Sequence, residues 1–238
     1  MKILALETSA KSVSTAISEN GVILASTYQN TGLTHSCTLM PLVDGMLHSA
    51  DLTIQDMDLI AVANGPGSFT GLRIGVSAAK GLAWTLEVPC CGVSTLLAMA
   101  QNLRHMNGME IVCAMDARRQ QVYNAVFRVQ NGILERRCED RAISLEELYE
   151  ELKNSDWPKI VVGDGAKLCY TYLSEKGLSC RLAPPQLIMQ NACGVALAAQ
   201  ELAEDGQTVS ARDLVPVYLR LSQAERERLA KGLKITVD

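Results

Sequence analysis

At 238 residues the chain is long enough to bury a substantial core, as one large domain or two small ones. Nearly half of it is apolar but only 4% is aromatic, so the core is aliphatic, and a formal charge of −4 argues against a stand-alone nucleic-acid binder, which would carry a basic face. The eight cysteines show no C-x-x-C pair and no metal-ligand spacing, which points to a reducing, cytoplasmic setting. The first seven residues turn charged too soon for a signal peptide, and no apolar run approaches membrane-spanning length.

Ile3–Leu6 reads as a buried strand ending at Glu7-Thr8-Ser9, and Val13–Ile17 alternates as a second strand. Asn20-Gly21 is a hairpin turn, with Val22–Tyr28 returning as a third strand. A helix is predicted over 34–50, with Leu39, Leu42, Val43, Met46 and Leu47 on its apolar side and Pro41 either kinking it or marking its first turn. Leu59–Ala63 is a continuous apolar run, a strand covered on both faces.

Asn64-Gly-Pro-Gly-Ser-Phe-Thr-Gly-Leu-Arg-Ile-Gly75 follows, breaking the chain and opening a helix over 70–85, with Ser68 or Thr70 as its N-cap. Gly71, Gly75, Ala78 and Leu82 share one side of that helix. Each helical glycine costs roughly 1 kcal/mol against alanine, so close approach of another backbone is expected at the stripe: either within the chain, or from a docked protein. The loop is not a P-loop, because Leu72-Arg73 stands where Lys-Ser/Thr is needed, and it lacks the third glycine of a dinucleotide fingerprint. A backbone anion nest at the helix start stays open.

A strand over 88–93 and a helix over 95–105 complete the first half. The second half repeats the order of elements: strands at 111–115, 121–129 and 133–137 with a turn at Asn131-Gly132, a capping box at Ser144-Leu-Glu-Glu147, a strand at 159–162, a helix to 175, a short strand at 180–182 and an alanine-rich helix over 192–204. Two lobes of β-β-β-α-β-α-β-α order would set their first turns across a cleft. Glu7, Thr8, Ser9 and Asp116, with the glycines Gly163 and Gly165, are then candidates for a weak ATP or ADP site, the carboxylates for magnesium and the backbone for phosphate. Ordinary polar strand ends are the alternative.

Together these residues resemble the bacterial TsaB (YeaZ) family, a paralogue of TsaD, the catalytic subunit of tRNA threonylcarbamoyladenosine synthesis. The Asn64–Gly75 string looks like the family signature. Asp116-Ala-Arg118 with Tyr123, Pro216-Val-Tyr-Leu-Arg220 and Ala224-Glu225 match further blocks, so the likeness runs to about residue 226. It implies an α/β, two-lobed actin-like/hexokinase-like ATPase (ribonuclease H-like) fold, with lobes at 1–107 and 108–238. It also implies a non-catalytic subunit, required with TsaD and the small ATPase TsaE for transfer of threonylcarbamoyl to adenosine in tRNA.

The catalytic paralogue carries two metal-holding histidines four residues apart. The matching positions here are Thr95 and Met99, neither a plausible ligand, and His35, His48 and His105 offer no helical pair. No catalytic or metal residue is expected. The resemblance implies that the helices near 34–50 and 70–86 meet the same pair in a TsaD-like paralogue, or in a second copy, through His35, Leu39, Leu42, Met46, Gly71, Gly75, Ala78 and Leu82. Transfer RNA would be met only through the complex. Basic clusters at Arg118-Arg119, Arg136-Arg137 and the tail from Arg220 to Lys234 read first as solvated faces. Competing functions are a small-molecule phosphotransferase using ATP in the cleft, and a peptidase, for which His35 and Cys37 make a poor constellation.

Overall fold

The computed structural model describes residues 1–220. The block Ala224-Glu225 and the basic tail through Arg226, Arg228, Lys231 and Lys234 lie outside the described residues.

The chain opens with three antiparallel strands, β1 (Lys2–Glu7), β2 (Val13–Glu19) and β3 (Val22–Gln29). Asn20 and Gly21 sit at φ 49° and 81°, the left-handed pair a tight hairpin needs. After α1 (His35–Ser49), β4 (Leu59–Gly65) pairs parallel to β1, and α2 (Phe69–Leu86) leads to β5 (Cys90–Ser94) beside β4. Ser68, not Thr70, caps α2, its hydroxyl accepting from Gly71 N. The sheet order is β3-β2-β1-β4-β5.

The second sheet begins after α3 (Thr95–Gln101), which is shorter than expected. Strands β6 (Glu110–Asp116), β7 (Gln121–Gln130) and β8 (Ile133–Arg136) form the meander, with Asn131 and Gly132 at φ 53° and 74° in its turn. An unforeseen strand, β9 (Arg141–Ser144), pairs with the other end of β7. Ser144 then caps α4 (Leu145–Leu152) in a reciprocal box with Glu147. β10 (Lys159–Val162), α5 (Ala166–Glu175), β11 (Arg181–Leu182) and α6 (Ala192–Glu204) follow. The order β8-β7-β6-β10-β11 repeats the first sheet position by position. This duplicated topology is the repeat anticipated from element order, and the two-lobed, actin-like fold that the resemblance implied.

Alternation of side chains along each strand divides the core into layers. Leu4, Leu6, Ile60 and Val62 face α1 and α2 on one side of the first sheet. Ile3, Ala5, Leu59 and Ala61 face α6 and Ala98 of α3 on the other. Leu96, Met99 and Leu103 then meet Ile111, Cys113 and Phe127 of the second sheet. Beyond that sheet lie α4 and α5, on Val112, Ala114 and Val161. The expected division at residue 107/108 falls between the sheets, yet α6, from the second half, packs on the first. All eight cysteines are free thiols, and burial pushes Cys91 and Cys169 up to about 12, so both behave as small hydrophobes.

α3 and α6 touch backbone to backbone. A Cβ on Gly194 would overlap the Ala98 carbonyl oxygen and lie 2.9 Å from Asn102 Nδ2. Gly194→Ala is therefore expected to lower stability by about 1–3 kcal/mol through overpacking, read as a reduced urea midpoint. An unchanged midpoint would show that the helices have room to part.

Candidate functional site

The Asn64–Gly75 string is fitted to its own chain. Ser68 N donates to Ser9 O at 2.7 Å, and Thr8 Oγ1 donates to Gly71 O at 2.7 Å. A Cβ on Gly67 would stand 2.6 Å from Ser9 O. On Gly71 it would overlap the Thr8 carbonyl oxygen, and on Gly75 the Thr8 hydroxyl. The turn after β1 thus lies directly on the first turns of α2, and only glycine permits that distance.

Four of the eight residues expected at a partner surface lie inside the chain. Gly71 and Gly75 are buried against Thr8, and Leu39 and Met46 are buried in the core under α1, so none of the four is presented outward. His35 is half-buried, with Nε2 2.7 Å from Ala10 O. Leu42, Ala78 and Leu82 are half-buried along the helix pair. Two helical glycines have no such explanation. Gly45 of α1 and Gly81 of α2 are exposed, and a Cβ on either meets nothing within 4 Å. On the same two helices Met40 and Trp84 are exposed, Trp84 at 70%.

A cavity of about 680 Å³ lies between the lobes, lined among others by Ser9, Lys11, Asp116, Arg118, Asp164 and Tyr218. Of the six residues expected there, Ser9 and Asp116 reach its wall; Glu7, Thr8, Gly163 and Gly165 do not. A Cβ on Gly163 would overlap Ala114 O, and on Gly165 would lie 2.8 Å from Asp116 N. Their N–H groups already donate to Ile188 O at 2.7 Å and Ala114 O at 3.0 Å. These glycines pack a loop on β6, so they do not offer the donors a nucleotide phosphate requires. Among the described residues no cluster of three or more His, Cys, Asp or Glu is placed to hold a metal.

Glu7 is fully buried beneath the cavity. Its Oε1 accepts from Ser9 N at 2.6 Å, while Oε2 has no partner. Burial pushes its carboxyl up to about 7, and the Asp164 charge adds to the rise. Asp164 is itself raised by burial, and accepts from Gln190 Nε2 at 2.9 Å.

Residues 209–220 form a strap that sequence reasoning marked only as a resemblance block. Val209 bridges Cys90, Lys80 Nζ donates to the carbonyls of Arg212 and Leu214, and Val217 N donates to Asn64 O at 2.7 Å. Gly65 has no Cβ because Val217 O occupies that space. Tyr218 stacks on Phe69 at 4.7 Å, with Arg73 over the other ring at 4.0 Å and bonded to the Tyr218 hydroxyl. Arg220 then reaches the second lobe, donating to Ala117 O at 2.6 Å. The signal was the pairing of Gly65 with a distant Pro-Val-Tyr, which one sequence cannot reveal.

Positions 95 and 99 are core. Met99 packs in the layer between the sheets, and Thr95 is buried with its hydroxyl unpartnered. Cys37 accepts from the Thr34 hydroxyl while His35 bonds Ala10, so the two form no dyad.

The family model for TsaD, tRNA N6-adenosine threonylcarbamoyltransferase, matches residues 29–227. The chain is 36% identical to the tRNA threonylcarbamoyladenosine biosynthesis protein TsaB of Bacillus subtilis, covering 94% of this chain and 96% of that protein. It is 32% identical to TsaB of Escherichia coli, covering 92% and 95%. Among solved structures, YeaZ from Pseudomonas aeruginosa superposes with a TM-score of 0.76 at 28% identity, over 92% of this chain and 99% of that one.

The buried Glu7 makes stability fall with rising pH. Its folded pKa lies above the ordinary carboxylate value of 4.5, so between 4.5 and about 7 the native state binds the extra proton. The stabilisation present below 4.5 is lost as pH rises through 7, roughly 3 kcal/mol in all from this group. Urea unfolding at acidic and neutral pH should show that loss in the wild type and a flatter profile in Glu7→Gln. Parallel profiles in the two proteins would remove Glu7 as its source.

Proposed function

The chain belongs to the TsaB family, and from that membership we propose that it is a non-catalytic accessory subunit in the synthesis of threonylcarbamoyladenosine in tRNA. The observation that carries this reading is α3. Where the catalytic paralogue is expected to hold a metal, this chain has Thr95 and Met99 closed between two sheets. His35, His48 and His105 do not replace the missing pair: one is tied to Ala10 and the other two are exposed elsewhere.

The partner is a TsaD-like paralogue docked on the outer faces of α1 and α2. Support comes from Gly45 and Gly81, whose helix cost nothing inside the chain offsets, and from Met40 and Trp84, exposed on the same two helices. Half-buried Leu42, Ala78 and Leu82 extend that surface. Small residues would let a second helix pair approach closely and form a four-helix bundle, each Å² of apolar area removed from water contributing about 25 cal/mol. A homodimer through the same helices competes for this face, a TsaE-like ATPase joins the assembly, and tRNA is its substrate. The setting is cytoplasmic; no helix among the described residues is long and apolar enough to cross a membrane. The phosphotransferase alternative has less support, because the glycine N–H groups beside the cleft are already bonded.

Gly45→Leu and Gly81→Leu separate docking from folding. Each site is open, so each variant should fold at least as stably as wild type, gaining up to about 1 kcal/mol from helix propensity. Each should lose co-purification with the paralogue and, with it, tRNA modification in the reconstituted system. Retained co-purification would place the interface elsewhere. Product formed by this chain alone would end the accessory reading.

A further inference from the structure

Five of the described arginines are paired with a carboxylate at 3.1 Å or less: Arg104 with Glu201, Arg128 with Glu110, Arg136 with Asp140, Arg137 with Glu135 and Arg141 with Glu151. The mouth of the inter-lobe cavity is different. Arg118 is 82% exposed, and its one ion pair among the described residues, to neighbouring Asp116, is 3.9 Å long. Such a pair is worth little in water. Lys11 and Arg119 are exposed and make no side-chain hydrogen bond or ion pair among the described residues. Arg220 lines the same cavity. The cavity's two carboxylates are engaged internally, Asp116 by Arg118 N at 2.8 Å and Asp164 by Gln190.

The backbone that presents these cations is costly. Arg118, Arg119 and Gln120 stand at φ 67°, 57° and 55°, three successive non-glycine residues in the left-handed region. That conformation costs an L-residue about 1–2 kcal/mol, and such strain gathers at functional sites. The turn is held by Ala117 N to Gln121 O at 3.0 Å, Leu145 N to Gln120 O at 3.1 Å and the Arg220 guanidinium on Ala117 O. Between the cations the cavity wall carries aromatic rings, Tyr123 and the Phe69–Tyr218 stack, with Tyr218 at 38% exposure. Cations interleaved with accessible rings are the chemistry that holds unpaired RNA, phosphates on the charges and bases on the ring faces.

We infer that the cleft mouth formed by Lys11, Arg118 and Tyr218, with the exposed Arg119 next to Arg118 in the same turn, binds a single-stranded segment of RNA. The inference rests on the reading of the chain as part of an RNA-modifying assembly, and names the surface on which this subunit meets the substrate directly. An acidic chain can do this because the field that matters is local: a Debye length of about 10 Å screens distant carboxylates, and at the cleft Lys11, Arg118, Arg119 and Arg220 outnumber Asp116 and Asp164.

The test is a titration of the full chain into a fluorescent RNA stem-loop, followed by anisotropy between roughly 50 and 200 mM salt. Arg118→Ala with Arg119→Ala should weaken binding about tenfold and lower the salt slope by about 1.4, two single-strand phosphate contacts. Tyr218→Ala should weaken binding about tenfold without changing the slope, as loss of one stacked base does. Arg181→Ala, at an exposed cation away from the cleft, should change neither. A fully paired RNA of equal length should compete poorly. An unchanged slope in the double variant, equal binding of paired RNA, or displacement by ATP in place of RNA would overturn the inference. Co-purification of the double variant with the paralogue separates this failure from failure of the accessory-subunit reading, because these arginines lie on neither α1 nor α2.

Discussion

The whole first lobe depends on one close contact, the turn after β1 resting on the start of α2. Thr8 supplies a hydroxyl to Gly71 O and fills the space where Gly71 and Gly75 would carry side chains. Ser9 O receives Ser68 N at the mouth of the same loop. Two helical glycines cost roughly 1 kcal/mol each. The return is a buried hydrogen bond and a helix brought onto the β1–β4 seam, where Val76 and Ala79 join the core. Gly65 makes the same bargain with the strap at Val217. The signature string is thus a set of close approaches, each with an identified neighbour in this chain.

That account sharpens what the outside of the lobe is for. Once Gly71 and Gly75 are assigned to the interior, they can no longer mark a docking surface. Gly45 and Gly81 then stand out, since nothing in the chain comes within 4 Å of the missing Cβ. They lie on adjacent helices that share one apolar seam through Leu42, Ala78 and Leu82. A partner's helices would turn an unrewarded cost into contact area.

Much of the fold was legible because it is written locally. Asn20-Gly21 and Asn131-Gly132 demand hairpins, the apolar run at Leu59–Ala63 demands a doubly covered strand, and the Ser144–Glu147 box fixes where α4 starts. The repeated strand order followed from the repeated element order. What escaped was long-range. β9 is only four residues long and is defined by its pairing with β7. α6 is alanine-rich and apolar on several faces, so its pattern does not say which sheet it covers. The strap has no periodicity, and its role rests on meeting Asn64 and Gly65 across some 150 residues. For the candidate site the limit was sharper: a glycine stripe announces a close backbone without saying whose. Gly163 and Gly165 likewise suggested phosphate donors, but their N–H groups serve Ile188 and Ala114.

The same contacts explain how an actin-like chain becomes suited to support a catalyst. Enzymes that close around a ligand need lobes free to move. Here α3 is buried between the sheets, with Met99 in the layer against the second lobe. Ser94 caps α3 and donates to Asp140 across the lobes at 2.5 Å, and Arg104 of the same segment pairs with Glu201 on α6. Arg220 ties the strap to Ala117 on the far side of the cleft. The Ser94–Asp140 and Arg220–Ala117 bonds lie between parts that a hinge would have to separate, while the Arg104–Glu201 pair fixes α3 to α6. Thr95 and Met99 add to the packing between the sheets. These bonds hold α1, α2 and the cleft mouth in one arrangement, which is what the proposed role beside a catalyst and its RNA requires.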